Sequence, residues 1–213
     1  MQAKLSDSAE LPAYAQLGVD TLLELIGRPA PTPAAGTVAS VAAALASALC
    51  IKCASLSTKQ LADASRYQQR GIELQTRAIG LAQADAEAYN QVILARRLRH
   101  EPQSGEPAAP SIDEAMRRVI GTPIEIVRLG VEIGRLAVEL AELGNPNLVG
   151  DAVTAALLAD SAVQAALTLA NINLAAYPTD QDVATLDTLI TQSKASVASA
   201  QARAAQYTDP ANP

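Results

Sequence analysis

The run from Thr37 to Ser57 constrains this chain more than any other stretch. It is apolar nearly all round, and it is built from small side chains, Ala39, Ser40, Ala43, Ala46 and Ser47 among them. An apolar stripe makes a surface helix, whereas apolar residues on every side make a buried one. The chain contains no Phe and no Trp. Its core must therefore be filled by Ala, Leu, Val and Ile, which let helices approach closely. No stretch alternates with period two, and no β-branched run is bounded by turns as a strand is. The pattern predicts an all-α fold: a compact bundle of about six helices, two of them central and Ala-rich.

The residues before this run form a rigid corner, Pro31-Thr32-Pro33-Ala34-Ala35-Gly36-Thr37. Two prolines stop a helix and pre-set the backbone. Gly36 permits unusual dihedrals, and Thr37 stands where a helix cap is wanted. A corner aimed at a helix N-terminus presents backbone N–H groups to whatever lies in front of it.

Helical periodicity organises the rest into one domain over 1–213, with tails at 1–12 and 208–213. A first helix is expected over Ala13–Gly27, stopped by Gly27 and Pro29. The second is the Thr37–Ser57 run, and the third spans Thr58–Leu98. Residues 99–110, with Pro102, Gly105, Pro107 and Pro110, read as a flexible connector. A fourth helix begins at Ser111, where Ser111 and Glu114 have capping-box spacing. Its stripe is Ile120, Ile124, Val127, Val131 and Val138, and Pro123 is expected to kink or divide it. Gly144-Asn145-Pro146-Asn147 closes it. A fifth, largely apolar helix covers Leu148–Ala176, Pro178–Asp180 turns, and a sixth covers Asp182–Tyr207.

With 16 basic and 22 acidic residues the net charge is −6, which argues against a nucleic-acid partner. The polar first ten residues lack the apolar core of a signal peptide. Lys52 interrupts the longest apolar stretch before it reaches the roughly 18 residues of a membrane span. The expectation is a cytoplasmic protein without a membrane partner. Cys50 and Cys53 lie one turn apart. A redox pair wants a βαβ setting and a zinc site two more ligands, so buried structural thiols are the favoured reading and no metal site is expected.

Four polar clusters interrupt the apolar helices: the Pro31–Thr37 corner, Asp85-Ala86-Glu87-Ala88-Tyr89, Gly144–Asp151, and Asn171-Ile172-Asn173. Taken singly each has an ordinary explanation: a solvated helix face, turn residues, a first-turn carboxylate that suits the helix dipole. Asn171 and Asn173 are the oddest, because an amide inside an apolar run needs partners.

In this order the clusters resemble the cyclodeaminase/cyclohydrolase family, whose members carry P-[TA]-P-G-G-G-S, D-A-E-A-[FY], a proline inside a helix, G-N-x-N-x-x-S-D and N-V-x-x-N. The resemblance runs from about Leu22 to Asp180. The family's triple glycine stands here as Ala34-Ala35-Gly36. Its N-L-T-x-G-K-K segment stands as Ser55-Leu56-Ser57-Thr58-Lys59-Gln60, which keeps one lysine. The first asparagine of the last motif is Leu169, and the serine before the aspartate is Gly150.

The resemblance implies a homodimer and, as substrate, a tetrahydrofolate derivative with a one-carbon unit on N5 or bridging N5 and N10; no prosthetic group is implied. Such chemistry needs a carboxylate near the cation, a proton carrier and donors for developing charge. It implies Asp85, Asp151 and Asn173 as the catalytic set, converging on one cavity. One carboxylate would hold the pterin edge and the other stand near the reacting carbon. Thr32, Gly36, Thr37 and Asn147 would contact substrate, and Lys59 would meet the anionic tail. The reading is a methenyltetrahydrofolate cyclohydrolase or a formiminotetrahydrofolate cyclodeaminase. The departures leave room for the same scaffold turned to another small molecule, or for a non-catalytic helical binding protein.

Overall fold

The computed structural model of the chain describes residues 12–100, 111–176 and 183–208. Residues 101–110 of the expected connector, the Pro178–Asp180 turn and all but the innermost residue of each tail lie outside the described residues, whereas Arg99 and His100, expected in the connector, belong to the third helix. Within them the chain forms a short 3-10 turn at Tyr14–Gln16 and then α1 (Val19–Gly27), α2 (Ala35–Ser55), α3 (Ala64–His100) and α4 (Ile112–Leu143). A second 3-10 turn, Pro146–Leu148, leads to α5 (Val149–Ala176) and α6 (Val183–Thr208). No strand occurs among the described residues.

Helix α2 lies against α3, α4 and α5 together. Ala43, Ala46, Cys50 and Ala54 are fully enclosed by residues such as Ala78 of α3, Ile133 and Ala137 of α4, and Ala155 and Ala159 of α5. A second apolar cluster joins Ala39 to Ile120, Ile124, Val127, Val163, Ala166 and Ala170. On α4, Gly130 has no room for a side chain: a Cβ there would stand 2.5 Å from Val163 Cγ2. Cys50 and Cys53 are buried and unbridged, and burial pushes the Cys53 thiol up to about 11. The thiol form is not the reactive one, so the structural reading of this pair fits.

The elements match the sequence pattern except at three helix starts. Ala13–Gly27 is not one helix, because Leu17 and Gly18 are extended and separate the Tyr14–Gln16 turn from α1. Helix α3 begins at Ala64 rather than Thr58. Asp63 Oδ1 accepts from the Arg66 backbone N–H at 3.1 Å, a side-chain cap that fixes the start there. Helix α2 starts two residues before Thr37, with Ala34 at the cap position and no capping side chain of its own. The capping of α4 is as the spacing predicts, Ser111 Oγ accepting from the Glu114 N–H at 3.2 Å.

A further correction concerns hydropathy. Helix α2 and the stretch Pro146–Ala176 are each long and apolar enough to cross a membrane, despite Lys52. In this bundle 56% of the α2 window is buried against other helices.

Pro123 does not divide α4, which runs on through it. Proline lacks the N–H that would bond the carbonyl four residues earlier, here Val119. Asn173 of α5 supplies the missing donor: its Nδ2 donates to the Val119 oxygen at 3.0 Å. Asn173→Ala should therefore cost about 1 kcal/mol in the native chain, the scale of one part-buried hydrogen bond. In a Pro123→Ala background, where the helix N–H returns, the same replacement should cost almost nothing. Urea denaturation of the native chain and the three variants measures the difference, and an equal cost in both backgrounds would refute the pairing.

Candidate active site

The start of α2 meets α3 at Asp85. Gly36 carries the contact: a Cβ there would lie 2.0 Å from Asp85 Oδ1. The carboxylate occupies the space a side chain would take, in front of the first turn of α2. Thr37 Oγ1 donates to Asp85 Oδ2 at 3.3 Å, with the Ala82 carbonyl a second acceptor at 3.4 Å, and the Thr37 backbone N–H also bonds Asp85. Asp85 thus caps α2 from a neighbouring helix, and its negative charge faces the positive end of the helix dipole. Thr37 is a donor to this carboxylate rather than the cap itself.

Burial raises the proton affinity of Asp85, and the two Thr37 hydrogen bonds only partly oppose it. Around it, Thr32 Oγ1 donates to Asn90 Oδ1 at 3.4 Å, and the Thr32-Pro33 peptide is cis. Ala34 and Ala35 are exposed, whereas Gly36 is buried. That distinction explains which glycine of the motif has no substitute here: only at Gly36 would a methyl group collide with the carboxylate.

Asp151 lies elsewhere. It sits in the first turn of α5, and both its oxygens accept from Lys52 Nζ, at 2.9 and 3.0 Å. Lys52 is in the last turn of α2, whose first turn holds Asp85. Roughly 22 Å of helix separates Thr37 from Lys52 at the usual rise per residue. Within one chain the two carboxylates therefore stand at opposite ends of α2 and do not share a cavity, contrary to the convergence expected from the motifs. Helix α5 runs antiparallel to α2: Asp151 meets the end of α2, and Ala166 and Ala170 cluster with Ala39 near its start. Asn173 consequently comes to the Asp85 end, where its amide is committed to Val119.

The loop between α4 and α5 is clamped to the end of α2. Asn145 Nδ2 donates to the Leu56 carbonyl at 3.1 Å, and the Asn145 N–H donates to Ser57 Oγ at 2.8 Å. Asn145 Oδ1 accepts from the Asn147 backbone N–H at 3.1 Å, which leaves the Asn147 side chain exposed. Lys59 is exposed on the turn after α2. The lysine that meets a motif carboxylate is Lys52, and the signal for it was an isolated charge in an otherwise apolar helix.

Sequence reasoning also missed Tyr14. Its ring packs on Ala82 and Ala86, either side of Asp85 on α3, with Leu17, Leu22 and Val41 around it. No periodic pattern marks a residue in a 3-10 turn. Among the described residues no group of three or more His, Cys, Asp or Glu is placed to hold a metal.

Ionisation of Asp85 links the site to stability. Its folded-state proton affinity exceeds the ordinary aspartate value of 3.8, so the folded chain binds more protons than the unfolded one just above that pH. This contribution is full below 3.8 and declines as pH rises through the elevated value. Asp85→Asn, which cannot ionise, should be more stable than the native chain at neutral pH, with the advantage shrinking as pH falls toward 3.8. Thermal melts of both proteins from about pH 3.5 to about pH 8 measure it; an advantage that grows on acidification would contradict the assignment.

Comparison with known proteins identifies the family. The family model described as formiminotransferase-cyclodeaminase matches residues 18–192. A methenyltetrahydrofolate cyclohydrolase of Methylorubrum extorquens is 28% identical over 155 residues, which cover 70% of this chain and 74% of that protein. The crystal structure of a formiminotetrahydrofolate cyclodeaminase from Thermotoga maritima superposes with a TM-score of 0.73 at 23% identity. That superposition covers 89% of this chain and 94% of the other.

Proposed function

This chain belongs to the formiminotransferase-cyclodeaminase family, and from that premise we propose that it is an enzyme acting on the one-carbon unit of a reduced folate. The family read from the four motifs is the one the match identifies. The favoured reaction is hydrolysis of a methenyl bridge, a C–N bond cleavage, with the cyclodeaminase reaction as the neighbouring possibility on the same scaffold.

One observation carries the reading: a carboxylate with raised proton affinity, held at the α2 N-terminus where Gly36 leaves room for it. An ordinary aspartate is a weak base near neutral pH, and desolvation makes Asp85 a better one. In the proposed step a water oxygen bonds the amidinium carbon while a water proton passes to Asp85. The carbon–N5 bond then breaks, N5 keeps the electron pair and takes a proton, and the oxygen becomes the formyl carbonyl. Water and a cation give a neutral formyl folate and one proton. In the cyclodeaminase direction the protonated Asp85 donates to the departing ammonia.

Asp151 enters through a second copy of the chain. Val38 and Leu45 on α2, spaced seven residues apart, and Leu157 on α5 form an exposed apolar strip, 42%, 56% and 42% accessible. A twofold axis across α2 buries this strip against itself and sets the start of one α2 beside the end of the other. The partner's Asp151 would then approach Asp85, with Asn147 and Lys59 from the same end available to the substrate and its anionic tail. Thr32, Gly36, Thr37 and Asn173 belong to the Asp85 side. The homodimer thereby restores the constellation that one chain separates.

Loss of the methenyltetrahydrofolate absorbance in the presence of the protein tests the activity. Asp85→Asn and Asp151→Asn should each abolish turnover and leave the fold intact. Mixing the two inactive variants and letting subunits exchange should restore about a quarter of native activity, because heterodimers then hold one intact composite site. No recovery on confirmed exchange would place the working residues within one chain.

A further inference from the structure

Helix α1 carries an apolar stripe that its own chain does not cover. Val19, Leu23 and Ile26 have the i, i+4, i+7 spacing of one helix face, yet Val19 and Leu23 are 72% and 62% accessible and no residue of α1 is buried. The chain holds α1 through Leu22, which packs with Tyr14, Val41, Ala82 and Ala86. That contact fixes α1 beside the start of α2 and leaves Val19 and Leu23 in water. A helix this short is not stable without packing, so the bare stripe calls for a covering surface.

The far end of α2 offers a surface that matches. Val38, Ala42, Leu45, Leu49, Lys52 and Leu56 fall on one side of α2, and none of them is buried. Folded on itself by the twofold axis proposed above, this side has its centre between Leu45 and Leu49, so Val38 of one copy faces the partner's Leu56. Leu56 is 55% accessible, and Leu143, next to the Gly144 that abuts Ser57, is 52% accessible. Helix α1 of one copy therefore stands next to a second bare apolar patch, on the other copy. Charge agrees with shape: α1 carries Asp20 and Glu24 and no basic residue, whereas residues 50–62 carry Lys52 and Lys59 and no acidic one.

We infer that α1 is a clasp between two copies of this chain, its Val19–Leu23 stripe docked on the partner's Leu56 and the partner's Leu143. The inference rests on the twofold reading above and names what covers the two apolar patches that the α2 seam leaves open. Each copy gives one α1 and receives one, so a single symmetry operation covers both patches on both copies. Helix α1 runs through Arg28 and Pro29 into the Pro31–Thr37 corner, so its docking also ties the corner in front of Asp85 to the partner.

The test uses the full chain with Leu23→Cys and Leu56→Cys together. Leu22 is fixed near Val41, and roughly 22 Å of helix separates Val41 from Leu56, too far for a disulfide within one chain. The native thiols are buried and do not compete. Under a glutathione redox couple the expected product is a disulfide-linked species of dimer mass on a non-reducing gel, which neither single variant forms. Separately, Leu23→Ser should raise the dimer dissociation constant about tenfold or more in sedimentation, with helical circular dichroism unchanged. No link, a link formed equally by a single variant, or an unchanged dissociation constant overturns the clasp; a native chain that is still dimeric and active then keeps the twofold and folate readings. A native chain that is monomeric at every concentration measured overturns the twofold reading and the clasp together.

Discussion

Alanine at the positions where α2 faces its neighbours is the constraint on which the structure depends. With Ala39, Ala43, Ala46 and Ala54 buried, one helix can lie against α3, α4 and α5. Larger side chains would hold those axes apart. The same closeness brings α3 near enough to the start of α2 for the Asp85 carboxylate to occupy the vacant Cβ position of Gly36. Packing and chemistry are thus one arrangement: the carboxylate is desolvated because the helices are close, and its proton affinity rises because it is desolvated.

The price of that closeness is borne by hydrogen bonding, and it is met by exchange between helices. Helix α2 has no cap of its own, so a residue of α3 caps it. Helix α4 contains a proline, so an amide of α5 takes up the carbonyl that the proline leaves free. The α4–α5 loop in turn binds the Leu56 carbonyl, just past the end of α2, through Asn145 and supports itself on Ser57. At these three places a helix end or defect is completed by a partner distant in sequence, whereas the starts of α3 and α4 are capped locally by Asp63 and Ser111.

This dependence on partners also divides what the sequence makes legible from what it does not. Element type follows from local pattern, so all six helices and most of their ends are readable; Ser111 with Glu114 even names its own bond. Helix starts fail where the capping group is remote or where a short polar side chain intervenes, as at Thr37 and Asp63. At the site, Gly36 and Asp85 are legible as motif residues, but only coordinates show that each requires the other. Asn173 stands out in the sequence for the right physical reason, a half-buried amide in an apolar run that needs a partner. The partner is a backbone carbonyl of α4, whose availability follows from Pro123. Tyr14 is invisible in the sequence because its contacts come from α3 and not from its own turn.

Length along α2 is the remaining argument. A helix of this span cannot place residues of its first and last turns at one small ligand. Asp85 at one end and the Lys52–Asp151 pair at the other are therefore either separate features or parts of a site assembled across a symmetry axis. The second alternative accounts for more. It gives the exposed leucines of α2 and α5 a covering surface, which a monomer leaves in water. It also explains why two carboxylates from motifs of one family lie at opposite ends of a central helix. An axis that reverses α2 against itself brings unlike ends together twice, once on each side, so two equivalent sites follow from a single interface.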